Sequence, residues 1–80
     1  MQTNLNNKRA VVWSQTNCPA CNQAKALLDI KGIDYEVKML GENATKQDLL
    51  EAVPSARSVP QIFLDGKYVG GLPELRKAIG

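Results

Sequence analysis

The segment from Arg9 to Leu28 constrains the fold more than any other part of this chain, because it passes from a strand-like to a helix-like pattern within a few residues. Its first part, RAVVWS, is rich in β-forming side chains and predicts a buried strand. After a polar break, Pro19 favours the first turn of a helix, where its missing N–H group costs nothing. Three- and four-residue spacings then give that helix one apolar face, formed by Ala20, Ala24, Leu27 and Leu28.

The rest of the chain continues this alternation of strands and helices. Gly32 is expected to end the first helix, and alternating apolar and charged residues over 33–39 predict a strand with one solvent-facing side. Thr45 is expected to cap a helix over Lys46–Val53. Three further elements are predicted: strands at Gln61–Leu64 and Lys67–Val69 around an Asp65–Gly66 turn, and a last helix with Pro73 in its first turn. The predicted order is βαβαββα, an α/β fold.

Composition sets the class of protein rather than its chemistry. The 80 residues are expected to form one domain, 1–80, in which residues 1–8 are a flexible lead-in. A net charge of +2, from ten basic and eight acidic residues, is too small to indicate a nucleic-acid or membrane surface. No apolar run approaches the length of about 18 residues that a membrane span needs, and the polar N-terminus does not resemble a signal peptide. We therefore expect a cytoplasmic protein, in which a purely structural disulfide would be unusual.

The two cysteines stand where the predicted strand passes into the predicted helix. Cys18 lies at or beside the helix N-cap, where unpaired N–H groups and the helix dipole stabilise a thiolate. Such thiols have a pKa between about 3.5 and 7.5, against about 8.5 for a free cysteine. Since the thiolate is the attacking species in disulfide exchange, Cys18 is predicted to be an exposed nucleophile. Cys21 is predicted to be more buried and to resolve a mixed disulfide at Cys18.

Two other roles for the C-x-x-C pair stay open at this point. Half of a zinc site would need two more ligands, and a chain with no histidine and no third cysteine could complete the set only as a dimer. Two unreactive buried cysteines are a second possibility. A C-x-x-C beside a βαβ pattern favours the redox role. The bond between Val59 and Pro60, at the start of a strand, is compatible with either a trans or a cis geometry.

These motifs together resemble the glutaredoxin family. The stretch VVWSQTNCPAC is similar to the family's first strand and CPYC site, and QDLLEAVPSARSVPQIFLDGKYVGGLPEL to its second half, with the TVP cis-proline loop and a double glycine. The resemblance implies a thioredoxin-like fold, a four-stranded mixed sheet with helices on both faces. It also implies an enzyme that reduces protein disulfides and glutathione mixed disulfides through catalytic Cys18 and resolving Cys21. Glutathione would be the recharging co-substrate, with no tightly bound cofactor and no metal.

The resemblance further implies a glutathione groove. Val59 would pair its backbone with the tripeptide as an added strand, and Pro60 would be cis and close to Cys18. The other residues implied at the groove are Gln15, Gln47, Ser58, Gly71, Leu72 and Glu74. The family's partners are disulfide-containing client proteins, including ribonucleotide reductase, and a monomer is expected.

Four positions depart from the family pattern. Gln15 replaces a usual lysine, Ala20 replaces the tyrosine of CPYC, and Glu74 replaces a frequent aspartate. Pro73 stands where a backbone N–H would meet glutathione. These differences favour one alternative, a glutaredoxin-like protein recharged by thioredoxin reductase. An alternative of another class is metal or iron–sulfur binding through Cys18 in a dimer, although Pro19 resembles members that do not bind clusters.

Overall fold

Four strands and three helices alternate along residues 9–80, the part of the chain that the computed structural model describes. Their order is the predicted βαβαββα. The predicted lead-in, residues 1–8, lies outside the described residues. The elements are β1 (Arg9–Ser14), α1 (Pro19–Ile30), β2 (Asp34–Met39), α2 (Lys46–Ala52), β3 (Gln61–Leu64), β4 (Lys67–Gly70) and α3 (Leu72–Ile79).

Three element boundaries differ from the prediction by one residue. Strand β2 begins at Asp34 rather than at residue 33. Helix α2 ends at Ala52, and Val53, predicted inside it, is the C-cap with φ −135° and ψ 87°. The cause is Pro54, because a proline disfavours helical geometry in the residue before it. Strand β4 continues one residue further than predicted, to Gly70.

The sheet has the order β2-β1-β3-β4, so β1 lies in its interior. Strand β1 pairs in parallel with β2 and antiparallel with β3, and places Val12 opposite both Val37 and Ile62. Strands β3 and β4 form an antiparallel hairpin. The mixed sheet is therefore the predicted one, and its central strand runs directly into the C-x-x-C segment.

Successive residues of β1 face opposite sides of the sheet, and each side is covered. On one side a buried cluster joins the sheet to α1 and α3: Ala10, Val12, Ala24, Leu28, Ile62 and Leu75. On the other side a second cluster includes Trp13 with Ala44, Leu49 of α2 and Val53. Helices thus lie on both faces, as predicted. Among residues 9–80, none of the helices combines the length and apolarity that crossing a bilayer requires.

Candidate active site

The C-x-x-C pair forms the N-terminal end of α1. Asn17 takes a left-handed backbone conformation, φ 57°, which asparagine tolerates better than most residues. This turn places Cys18 at the N-cap, in extended geometry, with Pro19 following as the first helical residue. Cys18 and Cys21 are joined by a disulfide, with their Cα atoms 5.2 Å apart. The predicted position of Cys18 at the start of the helix is therefore confirmed.

A backbone amide points at the Cys18 sulfur. The N–H of Cys21 donates to Cys18 Sγ over 3.2 Å. No acidic residue stands in the first turn of α1, so no like charge there opposes an anionic sulfur. The charge on a Cys18 thiolate would be stabilised by this donor and by the positive end of the helix dipole.

Cys18 is less exposed than the sequence predicted. It is 8% exposed and Cys21 is fully buried at 0%, so the predicted order of burial holds but the open exposure of Cys18 is wrong. Two contacts explain the difference. The disulfide covers one side of the Cys18 sulfur, and the carbonyl oxygen of Val59 lies 3.9 Å from it on a loop remote in sequence.

The loop that carries this carbonyl contains a cis peptide bond between Val59 and Pro60, the geometry that the resemblance implied. Side chains from the hairpin hold the loop. Gln61 Nε2 donates to the carbonyl oxygen of Ser58 over 2.8 Å, and the Tyr68 hydroxyl donates to Gln61 Oε1 over 2.6 Å. Neither Gln61 nor Tyr68 was predicted as a site residue, since no short motif links positions on opposite strands of a hairpin.

A first groove, of about 500 Å³, lies on one side of Val59. It gathers six of the residues that the resemblance implied for glutathione: Ser58, Val59, Pro60, Gly71, Leu72 and Glu74. Glu74 is the charged residue of its lining, and its Oε1 accepts a hydrogen bond from the Gly71 N–H over 2.9 Å. This bond ties the carboxylate to the start of α3.

A second groove, of about 600 Å³, lies on the other side and shares Ser58 and Val59 with the first. It contains Gln15, another implied residue, together with two cations that were not predicted as site residues, Lys46 and Arg57. Gln47 is exposed on α2 and lines neither groove. Lys46, and not the neighbouring Gln47, is therefore the polar residue of α2 that lines the groove.

Away from the C-x-x-C pair and the two grooves, the described residues offer little that could form a second candidate site. Residues 9–80 contain no cluster of three or more His, Cys, Asp or Glu side chains suited to a metal ion. Burial raises the pKa of Tyr35 on β2, and the nearby Asp29 carboxylate raises it further. Tyr35 lies outside both grooves, so this shift concerns the surface of the sheet and not the cysteines.

Comparison with known sequences identifies relatives over most of the chain. The Glutaredoxin family model matches residues 10–69. Glutaredoxin 3 of Escherichia coli is 34% identical over 64 residues, which cover 80% of this chain and 77% of that protein. The hybrid peroxiredoxin hyPrx5 of Haemophilus influenzae is 39% identical over 66 residues, or 82% of this chain, but the match spans only 27% of that longer protein.

Solved structures give the same result for the fold. Reduced Escherichia coli glutaredoxin superposes with a TM-score of 0.73 at 29% identity, covering 89% of this chain and 92% of that one. The buckwheat glutaredoxin–glutathione complex also gives 0.73, at 31% identity, covering 88% of this chain and 66% of the buckwheat protein. The fold is thioredoxin-like, as expected. Since the family model spans both the C-x-x-C segment and the cis-proline loop, this chain belongs to the glutaredoxin family of thiol–disulfide oxidoreductases.

Proposed function

We propose that the protein reduces protein disulfides and glutathione mixed disulfides by a dithiol mechanism, with Cys18 as nucleophile and Cys21 as resolving thiol. One observation carries the assignment of roles. Cys18 is the N-cap of α1 and its sulfur accepts the Cys21 N–H, whereas Cys21 is fully buried one turn later. A thiolate is therefore stabilised at position 18, next to the carbonyl oxygen of Val59, a residue that lines both grooves.

The reaction consists of two exchange steps. The Cys18 thiolate attacks one sulfur of the substrate disulfide, a bond forms between the two sulfurs, and the other substrate sulfur leaves as a thiolate. Cys21 then loses its proton and attacks Cys18, and the second substrate sulfur leaves with the electron pair and takes up a proton. The substrate gains two electrons and the protein is left with the Cys18–Cys21 disulfide seen in the structure.

Glutathione is the proposed recharging co-substrate, and the two grooves support this choice. Their charges differ: Glu74 lines the first groove, while Lys46 and Arg57 line the second. Glutathione carries an ammonium and a carboxylate at its γ-glutamyl end and a single carboxylate at its glycine end. With its cysteine over Cys18, the glycine end of glutathione would lie in the second groove, which we call the cationic groove. There Lys46 and Arg57 would supply the positive charge that Gln15 lacks.

A pair of single variants tests the assignment of the two cysteines. Cys18→Ser is expected to lose all turnover, because no thiolate remains to attack. Cys21→Ser is expected to keep part of the reduction of a glutathionylated peptide and to lose reduction of a peptide disulfide, which needs the resolving thiol. Turnover by Cys18→Ser would overturn the assignment.

The source of electrons is measured separately with the unaltered protein. We expect turnover of a small disulfide with glutathione plus glutathione reductase and little with thioredoxin reductase alone. The reverse pattern would replace glutathione by thioredoxin reductase as the electron donor and would leave the disulfide chemistry intact.

The Haemophilus influenzae relative favours one class of client. It is a hybrid peroxiredoxin, and a segment similar to this chain makes up 27% of it. We infer that a peroxiredoxin is a client of this protein, beside the ribonucleotide reductase that the family suggests. We also expect this protein to act as a monomer. A peroxiredoxin with glutathione is expected to consume peroxide several times faster when this protein is added, and no faster when Cys18→Ser is added instead.

A further inference from the structure

The second groove is larger and more apolar than the end of a small thiol requires. Its volume of about 600 Å³ falls in the range of pockets that hold whole drug-sized ligands, whereas glutathione would place only its glycine there. Beside its cations, five apolar residues line it: Leu40, Leu49, Leu50, Ala56 and Val59. Such a surface fits several residues of a polypeptide.

The charge of this groove has one sign. Lys46 and Arg57 are both exposed, and no acidic residue belongs to the lining. Among residues 9–80 neither cation takes part in an ion pair; the ion pair found there joins Lys38 to Glu36. Both positive charges are therefore available to an anionic partner.

The position of Lys46 is fixed by the fold. It is the first residue of α2, whose start is held by a reciprocal pair of hydrogen bonds. The Asp48 N–H donates to Thr45 Oγ1 and the Thr45 N–H donates to Asp48 Oδ2, each over 3.0 Å. Arg57 immediately precedes Ser58, in the loop whose Val59 carbonyl touches Cys18. The two cations thus line one groove together with Val59, whose carbonyl oxygen lies 3.9 Å from the Cys18 sulfur.

We propose that this groove selects client proteins by an acidic residue that follows the client's reactive cysteine. The proposal rests on the proposed function for its orientation: glutathione lies with its glycine carboxylate toward Lys46 and Arg57, so a client chain in the same direction places there the residues after its cysteine. A client carboxylate would meet the cations, and its apolar neighbours would cover the leucines. Selection applies when Cys18 attacks the client's own sulfur, as in reduction of a protein disulfide.

The test uses short peptides, each joined to its own copy through a single cysteine. Four versions differ at one position: Glu, Gln or Lys two residues after the cysteine, or Glu two residues before it. The protein is first reduced and freed of reductant, and the single-turnover rate of peptide release is followed by chromatography. Glutathione is absent, so the experiment does not depend on how the protein is recharged.

We expect the peptide with Glu after the cysteine to react about three to ten times faster than the Gln peptide, as exposed ion pairs with two cations allow. The Lys peptide should be slower still, and Glu before the cysteine should give no advantage. The preference should shrink as salt rises to about 0.5 M, since exposed charges are screened.

Two double variants locate the effect. Lys46→Gln with Arg57→Gln should react with the Glu and Gln peptides at equal rates. Lys67→Gln with Lys77→Gln loses the same net charge from exposed residues that line neither groove, and should keep the full preference. Equal rates for all peptides with the unaltered protein, or a preference that survives the first double variant, would overturn the proposal. A preference lost in the control variant would also overturn it. No reaction with any peptide would instead refute the proposed function.

Discussion

Replacing Gly70 by alanine tests how the end of β4 shapes the first groove. Gly70 has a φ of +126°, a conformation almost restricted to glycine. An alanine Cβ there would lie 2.9 Å from Glu74 Cγ and 3.0 Å from Glu74 Cβ. Neither atom is the free end of a flexible side chain, so Glu74 and the first turn of α3 would have to move.

The expected loss of stability has two parts. A side-chain-bearing residue in this backbone region costs about 1–3 kcal/mol, and overpacking costs about 1–3 kcal/mol more. Together they lower the free energy of unfolding by about 2–6 kcal/mol, a large share of the roughly 5–15 kcal/mol of a typical domain. Movement of Glu74 would also disturb its hydrogen bond with the Gly71 N–H.

Urea denaturation followed by circular dichroism measures the loss, and Gly66→Ala is the matched control. Gly66 also has a positive φ, +81°, but an added Cβ there meets no atom within 4 Å. The free energy of unfolding of Gly66→Ala should therefore fall only by the cost of the left-handed backbone conformation, about 1–2 kcal/mol. The KM for glutathione should rise in Gly70→Ala, because Glu74 is displaced, and not in Gly66→Ala. Equal losses of stability in the two variants would show that the contact with Glu74 contributes nothing.

Two further predictions concern the sulfur and the loop beside it. In the reduced and folded protein, iodoacetamide should alkylate Cys18 at about pH 6, where an ordinary thiol with a pKa near 8.5 is almost wholly protonated, and should leave the buried Cys21 unmodified. Mass spectrometry over a series of pH values measures this. Reaction of both thiols only above about pH 8 would contradict the prediction. Tyr68→Phe removes the hydroxyl that donates a hydrogen bond to Gln61, and should lower the free energy of unfolding by about 0.5–1.5 kcal/mol. Because Gln61 in turn holds the Ser58 carbonyl, the KM for a peptide disulfide should rise. An unchanged KM would show that the loop needs no such support.

The elements of this fold were predictable because their signals are local. Pro19 marks the start of α1, Thr45 caps α2 and the Asp65–Gly66 turn joins the hairpin, all within a few residues of the boundary they set. The roles of the two cysteines were inferred in the same way, from the junction of β1 with α1.

The grooves were harder to predict because they are assembled across the sheet. Gln15 follows β1, Lys46 begins α2 and Arg57 precedes the cis-proline loop, and only the folded chain shows that they line one groove. The resemblance pointed to Gln47, but the direction of a side chain on a short exposed helix depends on where its first turn begins. The near-burial of Cys18 has the same origin, since the carbonyl that covers it is 41 positions away in sequence.

Trp13, the single tryptophan of the chain, has a practical consequence. It is 7% exposed and packs in the cluster that contains Leu49, with Leu40 and Val59 at its border. All three of these neighbours line the cationic groove. Tryptophan fluorescence therefore has one source, in a core cluster that also supplies residues to the groove proposed for a client, so it can report occupancy of that groove without a label.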